Sequence, residues 1–299
     1  MDETINFNNK SWEIKNLIAK GGFGTVYKLC EKNDNNNCYA IKIEPSDNGP
    51  LFVEMHFYKK INKNEIKNFI DAKNLSYLGI PLLYHNGIIK KDNIEYRYIV
   101  IDYYEFNLND ILKKYIKLPI ITIYKITIQI LYILEYLHKK KYTHNDIKKN
   151  NIMFNSSLTK VYLIDYGLIY NMNSNQEYNI KCSNDGTLEY LPLITHLFGL
   201  KTYMGDIESL MYNIIEWYSG SLPWIKYKKK NVILKKLDFF NTCLTNSPIE
   251  ICKLYNYIKN APSIYNYNFI PDHDKLINYF VTYLKSKNIN LNDKLVFCK

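Results

Sequence analysis

The apolar positions of this chain change period about a third of the way along. In the first hundred residues they mostly alternate, as half-buried strands require. Trp12, Ile14 and Ile18 begin the pattern, and Tyr39-Ala40-Ile41-Lys42 continues it. Leu82 to Ile89 and Ile94 to Ile101 flank the turn Lys90-Lys91-Asp92-Asn93 and predict a hairpin. Asn33 to Asn37 are predicted as a turn, because Asn and Asp tolerate left-handed backbone angles. One helical pattern interrupts this region, at Leu51 to Ile61. Asp102 to Glu105 then breaks the alternation, and the spacing becomes helical. Leu108, Ile111, Leu112 and Tyr115 predict a short helix. Ile123, Ile126, Ile130, Leu134 and Leu137 predict a longer, buried one. Val161 to Ile164 predicts an apolar strand. Ile207, Leu210, Met211, Ile214 and Tyr218 predict another buried helix, stopped at Gly220 to Trp224. Ile249–Ile258 and Leu276–Leu284 predict two more. The polar stretch from Asn171 to Asp185 is expected to be mobile. Strands first and helices after indicate an α+β fold, with a small antiparallel sheet over residues 1–101 and a larger, mainly helical part over 102–299.

Composition narrows this reading. The chain has 299 residues, 47% of them apolar and 23% charged, as in ordinary soluble globular proteins. The net charge is +10, which favours acidic partners, although a solvated lysine surface explains it as well. No nucleic-acid motif is present, so direct nucleic-acid binding is not expected. The six cysteines have neither CxxC nor zinc spacing and are expected to be free thiols in a reducing, cytoplasmic compartment. The N-terminus is polar, without the pattern of a signal peptide. Ile120 to Leu137 contains Lys125 and Glu135 and is expected to be too polar to span a bilayer.

The candidate chemistry lies in four short stretches. Ala19-Lys20-Gly21-Gly22-Phe23-Gly24 is a glycine loop between two strands, where missing Cβ atoms allow backbone to approach a phosphate. A plain hairpin turn gives the same pattern, and no Gly-Lys-Ser/Thr follows to make it a Walker loop. Lys42 lies within an apolar strand, where it must snorkel or pair. Glu54, in the apolar helix run, is its natural partner, though an edge lysine and a surface glutamate are the alternative. Tyr142 to Met153 then supplies Asp146, Lys148 and Asn151, and the following strand delivers Asp165-Tyr166-Gly167. A carboxylate to orient a hydroxyl, a cation beside it and two oxygen ligands for magnesium are the parts of a phosphoryl-transfer site.

The order of these motifs, and the stretches KGGFGTVYK, KIEPSDNGPLFVEMHFY, THNDIKKNNI, LIDYGL, DGTLEY, GDIESL and GSLPW, resemble the eukaryotic protein kinases over nearly the whole chain. Within them the chain is most similar to the vaccinia-related kinases of the casein-kinase-one branch. Its Asn/Ile/Tyr-rich style suggests a poxviral member. The resemblance implies a bilobal kinase fold and an enzyme moving the γ-phosphate of Mg-ATP to Ser/Thr hydroxyls of proteins. It implies that Ala19, Lys20, Gly21, Gly22, Phe23 and Gly24 cover the phosphates. Lys42, held by Glu54, would bind the α- and β-phosphates. Val26, Ala40 and Met153 would sandwich adenine, with the hinge at Ile101, Asp102 and Tyr104. Asp146 would take or orient the hydroxyl proton, and Lys148 would neutralise the moving phosphoryl group. Asn151 and Asp165 would hold Mg²⁺. Thr187 would sit beside Asp146 and favour Ser/Thr acceptors, and Asp206 would brace the catalytic loop. The family suggests small DNA-binding proteins as acceptors. No membrane association is expected, and a monomer is assumed.

Three departures bear on activity. Ala19 stands where the family pattern has its first loop glycine. Asn145 stands where many kinases have arginine, so activity is expected not to need phosphorylation at Ser174 or Ser183. Tyr203-Met204-Gly205 replaces the arginines of close relatives. Two other readings are a catalytically weak pseudokinase scaffold, whose usual mark is loss of a lysine or aspartate kept here, and a nucleic-acid-binding module.

Overall fold

The computed structural model describes residues 4–21, 24–32, 34–174, 185–241, 244, 247–262, 266 and 268–298. These form two compact units. The first comprises the chain to Leu75, residues 80–105 and the tripeptide Asp165–Gly167; the second holds the rest.

The first unit is a six-stranded antiparallel sheet in the order β1-β2-β3-β4-β6-β5. Its strands are β1 (Thr4–Phe7), β2 (Lys10–Lys20), β3 (Thr25–Glu31), β4 (Asp34–Pro45), β5 (Leu83–Lys91) and β6 (Ile94–Asp102). Two of its hairpins close on residue pairs with positive φ, Asn8-Asn9 and Asp92-Asn93. That is the turn whose twist matches the flanking strands, and Asn and Asp adopt it readily. One face of the sheet gathers Ile5, Phe7, Trp12, Ile14, Leu29, Ile41, Ile43, Tyr98 and Val100 into a core. Across the sheet, α1 (Pro50–Lys60) buries Leu51, Glu54, Phe57 and Tyr58. Glu44 on β4 accepts a hydrogen bond from the Leu51 amide at 2.9 Å. It therefore caps a helix start where Gly49 offers no side chain.

Two expectations are corrected here. Asp34 to Asn37 are not a turn but the start of β4, with Glu31 paired to Asp34 and Cys30 to Cys38. Cys30 and Cys38 are not free thiols; they form a disulfide with Cα atoms 4.2 Å apart. Residues directly opposite on antiparallel strands lie close enough for such a bridge. Cys252 and Cys298 are free, and Cys182 and Cys243 lie outside the described residues. A second helix, α2 (Lys63–Ala72), was not expected; Asn62 caps it through the Asn64 amide.

The second unit begins, after Ser76–Gly79, with β7 (Phe106–Asn107), α3 (Leu108–Tyr115) and α4 (Ile120–Lys139). It continues with β8 (Tyr142–Thr143), a 3-10 turn (Lys149–Asn151), β9 (Ile152–Phe154), β10 (Val161–Leu163) and β11 (Tyr170–Asn171). The helices α5 (Leu193–Phe198), α6 (Tyr203–Ser219), α7 (Lys229–Asn241), α8 (Ile249–Lys259) and α9 (His273–Ser286) complete it. The helix α4 is long and apolar enough to cross a membrane, contrary to the polarity expected from Lys125 and Glu135, but 83% of its apolar window is buried inside the protein. It packs against α6 and α9, and Lys125 reaches out to donate to the Asp293 carbonyl at 3.1 Å. Burial, not polarity, makes it a core helix. The small-sheet and larger-helical composition is that of the expected kinase-like α+β class.

Candidate active-site residues

In the first unit the chemistry centres on Lys42. Its neighbours Ile41 and Ile43 face the core, so the two-residue period of a strand turns Lys42 to the other face. There its ammonium donates to Glu54 Oε2 at 2.7 Å and to Asp165 Oδ1 at 2.8 Å. The strand lysine therefore pairs rather than snorkels. Glu54 is only 1% exposed, and its second oxygen accepts the Tyr166 amide at 3.2 Å. Burial alone would lower the Lys42 ammonium, but the Glu54 and Asp165 carboxylates outweigh it and its pKa is raised. Burial pushes Glu54 upward, against the pull of Lys42 and the Tyr166 amide. With a donor on each oxygen, the geometry holds Glu54 as the carboxylate. The Tyr166 ring stacks on Phe57 at 4.5 Å and meets Tyr58 edge-on at 5.5 Å. These contacts dock the Asp165-Tyr166-Gly167 turn on α1 and aim Asp165 at Lys42.

The glycine loop follows β2, where Ala19 pairs with Val26 and Lys20 with Thr25. Gly21 donates its amide to the Gly24 carbonyl at 2.9 Å. A Cβ on Gly24 would lie 2.7 Å from the Ile43 carbonyl oxygen. Glycine is needed at that position for the fold of the hairpin itself, whatever phosphate it serves. Gly22 and Phe23 lie outside the described residues. Val26 pairs with Lys42, and Ala40 pairs with Ile101. The Asp102 carboxylate is used internally, accepting the Leu82 amide at 2.7 Å and the Tyr84 hydroxyl at 2.8 Å. Tyr104 follows just beyond the end of β6.

In the second unit the chemistry centres on Asp146, which is 7% exposed. Lys148 Nζ donates to its Oδ2 at 2.7 Å, and the Thr187 hydroxyl donates to its Oδ1 at 2.9 Å. Lys148 also donates to Thr187 Oγ1 at 3.0 Å, closing a three-membered ring of contacts. Asn151 Nδ2 donates to the Asp146 carbonyl at 2.9 Å and to its Oδ2 at 3.2 Å. Both bonds are made by its amide nitrogen. Met153 sits half-buried on β9, opposite Tyr162.

The loop carrying Asp146 is held from below. Asp206, in the first turn of α6 and 1% exposed, accepts the amides of His144 at 2.8 Å and Asn145 at 2.9 Å. Its Oδ2 also meets His138 Nε2 at 3.0 Å, and His138 Nδ1 meets His273 Nε2 at 2.9 Å. Asn213 donates to the Ile147 carbonyl at 2.8 Å. His138, His273 and Asn213 were not anticipated. Each lies on a helix at a position that a hydrophobic pattern treats as an interruption, and only their meeting reveals them. Asn145 has φ 68°. Its side chain ties the Leu168 carbonyl at 2.8 Å and the Thr143 carbonyl at 3.0 Å. A neutral amide thus fixes the loop to the chain after Gly167.

Comparison with known proteins agrees with this geometry. Residues 12–289 match the protein kinase domain. The chain belongs to the protein kinase domain family. This kinase is 36% identical to the probable serine/threonine-protein kinase FPV212 of Fowlpox virus, over 90% of the chain and 92% of that protein. It is 36% identical to the B1 kinase of Vaccinia virus (strain Ankara), over 88% of the chain and 91% of the relative. Nucleosomal histone kinase 1 of Drosophila melanogaster is 34% identical over 96% of the chain, which spans half of that longer protein. The solved structure of vaccinia related kinase 3 superposes with a TM-score of 0.84, covering 100% of this chain and 94% of that one. At 18% identity it speaks to the fold alone. The kinase is thus closely related to the poxviral B1 kinases and the vaccinia-related kinases, and it is an ATP-dependent serine/threonine protein kinase.

Proposed function

We propose that this kinase transfers the γ-phosphoryl group of Mg-ATP to serine and threonine hydroxyls of DNA-associated proteins, and that it is a poxviral member of the casein-kinase-one branch. The observation that carries the catalytic part is the contact set of Asp146, Lys148 and Thr187. Asp146 is held so that one carboxylate oxygen faces a hydroxyl, the group it must serve in a substrate. In this reading Asp146 orients the acceptor hydroxyl and receives its proton. The new bond forms from that oxygen to the γ-phosphorus as the bond to the β-phosphate oxygen breaks, and ADP leaves. Lys148 offsets charge on the moving group, and Lys42, steadied by Glu54, binds the α- and β-phosphates. The residues of the glycine loop (Ala19 to Gly24) cover the phosphates, Val26, Ala40 and Met153 enclose adenine, and the backbone from Ile101 to Tyr104 bonds its edge.

Asn151 and Asp165 are the residues that would hold Mg²⁺, whose charge screens the phosphates when bound. Among the described residues no cluster of three or more His, Cys, Asp or Glu side chains is built to hold a metal. That fits magnesium, which takes one or two protein oxygens and completes its shell with phosphates and water.

The substrate class rests on two supports. One relative carries the name nucleosomal histone kinase 1, and the net charge of +10 would draw the enzyme to acceptors bound on DNA. The test is phosphate mapping on a small DNA-binding protein incubated with the kinase and Mg-ATP, with and without DNA. Phosphoserine or phosphothreonine on the DNA-bound acceptor, at a rate that falls with added salt, is expected. Equal rates on casein and on the DNA-bound acceptor at every ionic strength would count against the substrate class.

A further inference from the structure

The segment Asp185 to Leu193, which carries Thr187 to Asp146, has almost no regular structure of its own. Side chains from the helices α6 and α7 and from the loops at the two ends of α6 hold its main chain instead. Lys201 donates to the Asp185 carbonyl at 3.2 Å, and Trp224 Nε1 donates to the Glu189 carbonyl at 2.8 Å. Glu208 accepts the Leu193 amide at 2.7 Å. The central anchor is Lys236 on α7. Its amino group meets the Leu191 carbonyl at 2.6 Å and the Leu188 carbonyl at 3.0 Å, with His196 Nε2 at 3.2 Å.

Lys236 is 0% exposed. Lysine is almost never fully buried without a specific partner set. Here the amino group also lies over two aromatic rings, with the Tyr212 ring centre 4.7 Å and the Trp224 ring centre 5.4 Å from Nζ. Such a group costs several kcal/mol to desolvate, and an apolar residue would fill the space without that cost. What an apolar residue cannot do is bind two carbonyls that follow Thr187 by one and four residues. Gly186 precedes them with φ 126°, and a Cβ there would lie 3.1 Å from the Asn145 carbonyl oxygen. Thr187 is thus fixed from both sides, by a turn only glycine makes readily and by Lys236.

We propose that Lys236 is a positioning residue for acceptor phosphorylation, holding the Leu188 and Leu191 carbonyls so that Thr187 stays against Asp146 and the acceptor hydroxyl meets a formed surface. This rests on the kinase reading above. No added phosphate is needed for such an anchor, because the amino group is part of the chain.

The test compares wild type with Lys236→Met, which keeps the stem and removes the donors. Steady-state kinetics are measured with a protein acceptor, alongside affinity for a fluorescent ATP analogue. Acceptor kcat/KM is expected to fall at least tenfold, with nucleotide affinity changed less than twofold. In a Thr187→Val background the same substitution is expected to cost less than threefold, since the contact it protects is already gone. Lys236→Gln, one bond shorter but still polar, is expected to move in the same direction by a smaller factor, and it decides the matter if the Met variant is not recovered folded. Unchanged acceptor kinetics in a folded variant would overturn the inference. So would parallel losses of acceptor turnover and nucleotide affinity, which mark general damage. If wild type itself phosphorylates no protein, the kinase reading fails instead.

Discussion

Replacing Thr187 by valine removes one hydroxyl and almost no volume, which makes it a sharp probe of the Asp146 site. The hydroxyl donates to Asp146 Oδ1 at 2.9 Å and accepts from Lys148 at 3.0 Å. Hydrogen bonds to charged groups contribute about 1.5–3 kcal/mol each. The second bond is largely compensated, because Lys148 keeps Asp146 Oδ2 at 2.7 Å. The net loss is therefore about 1.5–3 kcal/mol in the orientation of Asp146, or roughly ten- to a hundredfold in kcat. Thr187→Ser retains the hydroxyl and is expected to stay within about threefold of wild type, a margin of under ~1 kcal/mol. Nucleotide affinity should not change in either variant. The assay is initial-rate transfer from ATP at saturating nucleotide, with protein acceptors offering serine or threonine. A valine variant within twofold of wild type, or a serine variant as impaired as valine, would refute the role given to this hydroxyl.

Other outcomes follow from the same contacts. Lys42→Met strands the buried Glu54 carboxylate beside Asp165 and should destabilise the protein by about 3–5 kcal/mol, besides weakening ATP binding. Glu54, its pKa then raised further, contributes stability below its unfolded pKa and loses it as pH rises, so the drop in Tm should be larger at pH 8 than at pH 5. Changing Ser174 and Ser183 to alanine should leave kcat within about threefold, under ~1 kcal/mol, because Asn145 and Lys236 fix their loops with neutral or built-in groups; a collapse of activity would contradict this. Lys236 gives a pH signature. Burial lowers its amino group to about 7, against the pull of Glu208 and Glu189, while His196 and the Tyr212 ring face it as well. In the unfolded chain the lysine binds its proton up to about pH 10.4. The unfolded state therefore holds more protons between about 7 and 10.4, and stability should rise with pH there, by up to about 1.4 kcal/mol per pH unit. Denaturant titrations at pH 7.5 and 9 should show this slope in wild type and lose it in Lys236→Met.

Much of the fold can be read from the order of residues alone. Alternation around Trp12, Tyr39 and Ile94 marks strands, and the helical spacing of apolar residues predicts α3, α4, α6, α8 and α9, of which α4 and α6 are buried nearly all round. The pairing of Lys42 with Glu54 is legible because a charge inside an apolar run must be explained. The misses have the same root. In α7 a buried lysine stands where the helical pattern expects an apolar residue, so the pattern dissolves and the helix passes unnoticed. His138 and His273 lie far apart in the chain, and nothing in the order of residues says that they extend the Asp206 brace into one hydrogen-bonded line. The Cys30–Cys38 bridge depends on strand register, which is hidden because the Asn-rich start of β4 reads as a turn.

The central claim is that Asp146 serves the acceptor hydroxyl during transfer from ATP. The most direct measurement is the single-turnover rate of phosphate transfer to a protein serine or threonine, for wild type and for folded Asp146→Ala with equal nucleotide affinity. The account predicts phosphoserine or phosphothreonine from wild type and a rate at least about a thousandfold lower in the variant, a loss of about 4 kcal/mol. Transfer by Asp146→Ala at the wild-type rate would contradict it.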